Sequence, residues 1–302
     1  MLVEIAIGDA YGAGFEFCGR EKITAHNTLA AYVEHELGLK AGRYTDDTQM
    51  SIANAEVLLA TSHAGSDDFA DAYVRCYRRD RRLGYAKGFQ ALMDQCENGA
   101  MLRQRIRPDS KRNGAAMRAV PLGLIADKQH VMALASEQAI VTHATSEGVL
   151  SSQAVALMAH VLLYEKARLD DLPDLVAHET GFALRRDWQA EVECDAIQTV
   201  HAVSTALLRN RSMSALLCDC VNFGGDVDSV AAIAMGLASI SREYVADTPQ
   251  VLMDSLEDGA YGRSYLRRLD EALAERFPVL ASASSRPLAD RSQLTSTLDV
   301  CK

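Results

Sequence analysis

Apolar residues recur at three- and four-residue steps along most of this chain, the spacing that gathers them on one face of an α-helix. Met50, Ala53, Val57 and Leu58 follow Asp46–Gln49 in this way, and Asp46 with Gln49 has capping-box spacing, so a helix is predicted to open at Asp46. The stretch from Ser66 to Asp80 begins with acids and ends among Arg78, Arg79, Arg81 and Arg82, matching the helix dipole. Its arginines read as a solvated last turn. Further helices are expected over His130 to Thr142, Gln189 to Arg209, Ser212 to Asn222, Asp228 to Tyr244 and Ser264 to Phe277. Val149 to Arg168 is apolar nearly all round, which marks a central buried helix. Asp170 to Trp188 reads as a mixed polar connection, with Asp170–Asp171 as a helix-start cap. No stretch alternates over a strand length, and no long repeat is present. The pattern predicts an all-α fold, a compact multi-helix orthogonal bundle forming one domain over residues 1–280. The Ser-rich tail, 281–302, has little apolar content and is expected to be disordered or loosely attached.

Composition supports this reading. Pro is scarce, at six in 302 residues, and Ala is plentiful. The balance of 31 Lys+Arg against 41 Asp+Glu leaves a formal charge of −10. That excess argues against a nucleic-acid binder, which needs clustered cations, and leaves carboxylates that could hold metal ions. The seven Cys are scattered, with no C-x-x-C pair, and read as reduced thiols of a cytoplasmic protein; Cys218 and Cys220 are expected to be buried helix thiols. Met1 to Ala10 contains Glu4 and Asp9 and no basic stretch, unlike a secretory leader. The uncharged run Val149 to Tyr164 reads as too short to span a bilayer.

Two acidic clusters carry candidate chemistry: Thr45-Asp46-Asp47, and Asp226-Val227-Asp228-Ser229 after Gly224-Gly225. Neighbours inside a helix point about 100° apart and cannot share a face. At a helix start they can curl around one object, so each cluster could form a claw of hydroxyl and carboxylate oxygens. Such donors suit hard divalent cations, and together they would suit a binuclear Mg²⁺ site. The plainer reading is N-capping, which also favours Asp, Ser and Thr. Residue types alone leave both open.

Gly8-Asp9-Ala10-Tyr11-Gly12 with Glu16, Tyr44-Thr45-Asp46-Asp47-Thr48, Arg112-Asn113-Gly114-Ala115-Ala116-Met117-Arg118, Thr142-His143 and Gly224-Gly225-Asp226-Val227-Asp228-Ser229 occur in that order. This series resembles the motifs of the ADP-ribosylglycohydrolases, the family of the dinitrogenase-reductase-activating glycohydrolase and the ADP-ribosyl-acceptor hydrolases. The resemblance spans residues 4 to about 240. It implies an all-α fold holding two Mg²⁺ (or Mn²⁺) ions on Thr45, Asp46, Asp47, Asp226, Asp228 and Ser229. It implies that Glu16 acts as general acid/base or gates entry from a mobile loop, with Asp47 and Asp228 beside it in the catalytic set. It implies that Asn113, Gly114, Ala115 and Ala116 lay backbone N–H groups on a diphosphate, with His143 near the adenosine end. Gly84 and Tyr85 resemble part of a glycine-rich substrate loop. Asp9 reads as a support for the first turn. Val227 stands where the family usually has Thr, and Ser229 keeps a hydroxyl where Thr is usual. The acid that arginine-specific members place near the glycine-rich loop is absent between Gly84 and Gly88.

The implied activity is metal-dependent hydrolysis of ADP-ribose from a protein side chain, N-glycosidic arginine favoured over O-glycosidic serine. An ADP-ribosylated protein and ADP-ribose are the expected partners, possession of a cognate ADP-ribosyltransferase is compatible, and no nucleic acid or membrane is expected. The rival reading is a binding or immunity protein of the same fold that occludes a transferase or holds ADP-ribose without turnover.

Overall fold

A computed structural model describes residues 1–36, 38–284 and 301. The long helices are α1 (Leu2–Ala13), α2 (Asp46–Ala60), α3 (Ser66–Arg79), α4 (Lys128–Ile140), α5 (Ser146–His160), α6 (Ala196–Arg209), α7 (Met213–Asn222), α8 (Val227–Ile240) and α9 (Arg263–Arg276). Among the described residues there is no strand, only three isolated bridges. The all-α reading therefore holds.

The most extensive helix pair is α1 against α8. Gly8 and Gly12 lie one turn apart on α1. A Cβ on Gly8 would fall 2.3 Å from the Ala231 carbonyl oxygen, and one on Gly12 would fall 2.4 Å from the Asp228 Cα. The two backbones touch, and this close crossing carries Asp9 of α1 to the first turn of α8. Helix α1 escapes the periodicity reading because nearly every one of its residues is buried, so no polar face marks it.

The central helix is observed as α5, continued by a wider turn over Val161–Glu165. This continuous stretch, Ser146–Glu165, is 20 residues and long and apolar enough to cross a membrane by length and composition, contrary to the shorter span read above; 72% of its apolar window is buried inside the fold, where it serves as a core helix. A short helix, Leu172–Thr180, lies in the segment read as a polar connection. Asp171 precedes it without a side-chain capping bond, and Asp170 bonds Arg211. Helix α6 starts only at Ala196, where the Asp195 carboxylate accepts from the backbone of Ile197 and Gln198.

The solvated-turn reading holds for Arg78 and Arg81, which are exposed, Arg81 pairing with Asp94 at 2.8 Å; it fails for Arg79, which ends α3 half-buried against Glu56, and for Arg82. Arg82 is 5% exposed, lies 3.5 Å over the Tyr44 ring and pairs with Asp80 and Glu257. Its guanidinium also donates to the Tyr44 carbonyl at 3.1 Å, which anchors the strand of chain entering Thr45. Short-range sequence cannot show this, because Glu257 comes from a segment 175 residues away.

The cysteines depart from the all-reduced expectation. Cys218 of α7 and Cys301 form a disulfide, and Cys18, Cys76, Cys96, Cys194 and Cys220 are free. The pairing joins residues 83 apart, a proximity that linear spacing does not encode. Most of the tail expected to be disordered lies outside the described residues.

Candidate active site

The N-termini of α2 and α8 meet beside α1. Asp9 caps α2 from the neighbouring helix: its carboxylate accepts from the Thr45 N–H at 2.9 Å, the Thr45 hydroxyl at 2.8 Å, the Thr48 N–H at 2.9 Å and the Thr48 hydroxyl at 2.5 Å. The expected Asp46–Gln49 capping box does not form, since Thr45 is the capping position and Asp46 already lies in the helix. Gln49 instead donates to the Asp80 carbonyl at 2.6 Å and accepts from the Tyr85 hydroxyl at 2.8 Å. Asp46 and Asp47 are thereby released from capping.

At α8, Gly224 and Gly225 both adopt positive φ, 77° and 84°. Asp226 N–H donates to the Val192 carbonyl at 2.7 Å, which presses this turn against residue 192. The Asn113 side-chain amide donates to Asp226 Oδ2 at 2.7 Å.

Oxygens of Glu16, Asp226 and Asp228 lie within 4.8 Å of one another, as do oxygens of Asp9, Asp47 and Asp228. Asp228 belongs to both groups. Burial raises the pKa of Asp46, Asp47 and Asp228 well above the carboxylate range, and their acidic neighbours raise it further. Burial, then Asp226 and Asp9, pushes Glu16 up to about 7. Asp47 Oδ1 is buried with no hydrogen-bond partner among the described residues. A buried set of acids without a compensating cation or donor is costly, and a hard divalent ion relieves it. The all-oxygen donor set and the orphaned Asp47 oxygen fit such an ion.

The segment bearing Glu16 is clamped. Phe17 N–H donates to the Gly225 carbonyl at 2.8 Å, His35 Nε2 bonds the Glu16 carbonyl at 3.0 Å, and Arg20 donates to the Phe223 carbonyl at 2.9 Å. Opposite it, Gly84 has φ of 108°, and a Cβ there would fall 2.2 Å from Asp46 Oδ1. Only glycine lets the chain pass this close to the acid.

These groups floor a cavity of about 520 Å³. Glu16, Asp46, Asp47, Asp226, Asp228 and Ser229 line its acidic end, and Gly84 and Tyr85 its flank. Asn113, Gly114 and His143 line it as well, with Arg107, Arg112 and Lys87 adding positive charge. Thr45 is buried behind this surface on Asp9. Ala115 and Ala116 are fully buried and do not line the cavity, and the Ala116 N–H donates to the Asn113 carbonyl at 2.8 Å. The turn thus presents Asn113 and Gly114 to a ligand. Sequence reasoning missed Cys194, Gln138 and the Asn113 side chain's hold on Asp226. Only Asn113 carried a local signal, as part of a quoted motif.

The sequence profile of the ADP-ribosylglycohydrolases matches residues 1–283. The chain belongs to the ADP-ribosylglycohydrolase family. This glycohydrolase is 25% identical over 273 residues to the ADP-ribosylarginine hydrolase Tri1 of Serratia proteamaculans, covering 84% of this chain and 74% of the relative. It is 25% identical over 280 residues to the ADP-ribosyl-[dinitrogen reductase] glycohydrolase of Rhodospirillum rubrum, covering 89% and 93%. The human ADP-ribosylhydrolase ARH3 matches at 30% identity over 192 residues, 59% of this chain and 53% of that protein. A solved ADP-ribosylglycohydrolase-related protein complex superposes with a TM-score of 0.69 at 24% identity, over 94% of this chain and 96% of that one, which establishes the shared fold.

Proposed function

We propose that this glycohydrolase removes ADP-ribose from a modified protein side chain, arginine before serine, with two Mg²⁺ or Mn²⁺ ions at the cavity floor. The observation that carries the reading is the convergence of Glu16, Asp46, Asp47, Asp226 and Asp228 on one cavity floor, with Asp47 Oδ1 left without a donor. Thr45, Asp46, Asp47, Asp226, Asp228 and Ser229 would hold the ions. Bound there, divalent cations supply Lewis-acid polarisation and a lowered water pKa.

The chain's own residues do the rest. Asn113 keeps the Asp226 carboxylate oriented, and Asp9 keeps Thr45 and the start of α2 in place. Glu16, beside Asp226 and Asp228 on the cavity floor, is placed to give and take a proton there. It is suited to protonating the departing nitrogen or receiving the proton of the attacking water as the ribose passes through an oxocarbenium-like state. The mixed charge of the cavity suits the substrate: acids at the scissile end, and Asn113, Gly114, Arg107 and Arg112 elsewhere on its walls for an anionic diphosphate.

Arginine is favoured because relatives named as ADP-ribosylarginine hydrolases, from Serratia proteamaculans and Pseudomonas putida, align over 84% and 92% of this chain. An ADP-ribosyltransferase acting on arginine would supply the substrate. The test is release of ADP-ribose from ADP-ribosylated arginine and serine proteins, with Mg²⁺ or EDTA, by the wild type and by Asp46→Ala and Asp228→Ala. Mg²⁺-dependent release from arginine, abolished in both variants, is expected. Full activity in EDTA or in both variants refutes metal dependence, and binding of ADP-ribose without release would favour a non-catalytic binding protein.

A further inference from the structure

We propose that Arg118, acting through Thr142, holds His143, the residue that the family resemblance already places on bound ADP-ribose, as the neutral tautomer protonated on Nε2, so that this N–H is a fixed donor toward the ligand beside the Asn113–Ala115 turn. The second half rests on the substrate class proposed above; the first does not.

Arg118 is 1% exposed, and its acceptors are uncharged. Its guanidinium donates to the Gln138 carbonyl at 3.0 Å, to the Gln138 side-chain oxygen and to the Thr142 hydroxyl oxygen at 2.8 Å, with the Tyr73 ring 4.3 Å away. A guanidinium has no acceptor, so the direction of its bond to Thr142 is fixed. The Thr142 hydroxyl has one proton to give, and among the described residues its acceptor is His143 Nδ1, at 2.6 Å. Nδ1 therefore accepts. Burial, then Arg118 and Arg112, holds the His143 pKa down to about 3, so the ring is neutral and its single proton sits on Nε2.

The opposite tautomer would have Nδ1–H donate to Thr142 and strand a buried O–H. That penalty biases the two forms by about tenfold or more. Gln138 locks the donor: its amide donates to the Ala115 carbonyl at 2.8 Å while its oxygen accepts from Tyr73 at 3.0 Å. One side chain thus ties Arg118 to the Asn113–Ala115 turn.

The free edge of the ring faces that turn. A Cβ on Gly114 would lie 2.7 Å from His143 Cε1 and 3.0 Å from Nε2, and both residues line the cavity. Nε2 has no hydrogen-bond partner among the described residues. A neutral donor with fixed direction beside a glycine turn suits a phosphoryl or ribose oxygen. Arg118 and Thr142 are positioning residues; His143 makes the contact.

The test is ¹⁵N NMR of the Mg²⁺-loaded full chain with labelled histidine rings, the His143 signals being assigned by their loss in His143→Gln. A pyridine-like Nδ1 and a pyrrole-like Nε2, unchanged between pH 5 and 8, are expected. Thr142→Val should give a tautomer mixture and bind ADP-ribose about tenfold more weakly by calorimetry, since one lost hydrogen bond of about 1.4 kcal/mol is tenfold. Thr142→Ser should restore both. A protonated Nδ1 in the wild type, or an unchanged tautomer in Thr142→Val, overturns the relay. Unchanged ADP-ribose affinity in His143→Gln overturns the contact. If Thr142→Val fails to fold, the wild-type spectrum and His143→Gln still decide. None of these readouts uses turnover, so failure of the proposed hydrolysis is separately visible.

Discussion

Replacing Glu16 with Gln should stabilise the metal-free protein while destroying its activity. The carboxyl sits among Asp226, Asp228 and Asp9, and its pKa rises from 4.5 to about 7. Between those two values the folded state binds a proton that the unfolded state has released, so the Glu16 contribution to stability falls as pH rises through this window. The rise corresponds to roughly 3 kcal/mol at ~1.4 kcal/mol per tenfold. Water in the cavity screens part of it, leaving about 1–3 kcal/mol. Gln keeps the shape without the charge. In EDTA at pH 8 the variant should therefore melt on the order of 3–8 °C above the wild type, and the gap should close by pH 4.5. Saturating Mg²⁺ compensates the charge in the wild type and should shrink the gap at pH 8. Turnover should drop about 100-fold or more, the usual cost of losing a general acid/base. Scanning calorimetry at pH 4.5 and 8, with and without Mg²⁺, reads the stability arm. A variant no more stable than wild type at pH 8 in EDTA, or a gap independent of pH, would refute the reasoning.

Three further outcomes follow from the scaffold. Asp9→Ala removes the acceptor from the N–H and hydroxyl groups of Thr45 and Thr48 and should cost about 2–4 kcal/mol by urea unfolding in Mg²⁺. Gly12→Ala drives a Cβ to 2.4 Å from the Asp228 Cα; it should cost about 1–3 kcal/mol and lower kcat, because the start of α8 must shift. Arg82→Ala leaves Glu257 and Asp80 without their buried cation, and a loss of about 3–5 kcal/mol should appear as a lowered Tm.

Much of the helix plan was legible in the chain. Helices α2, α3, α7 and α9 start within a residue or two of their expected positions, since each shows an amphipathic stripe or a polar residue at its start. Legibility failed where burial is uniform, as in α1, and where a polar stretch such as Leu172–Thr180 hides a short helix. The acidic residues at the site were legible by type and order. Their chemistry was not, because a cap and a metal claw use the same residues; Asp9, capping α2 from α1, separates the two roles at Asp46 and Asp47.

The sequence by itself determined an all-α chain with surplus acid and a family-like order of motifs, because helical periodicity and motif spacing are local properties. The tertiary structure alone decided which residues meet. The Gly8–Gly12 contact with α8 brings Asp9 to Asp228, and Asn113 reaches Asp226 across 113 positions. It also turned Arg82 from an apparent surface charge into a buried clamp and joined Cys218 to Cys301. Electrostatics in a buried cluster depend on distances between segments remote in the chain, and those distances exist only once the helices have packed.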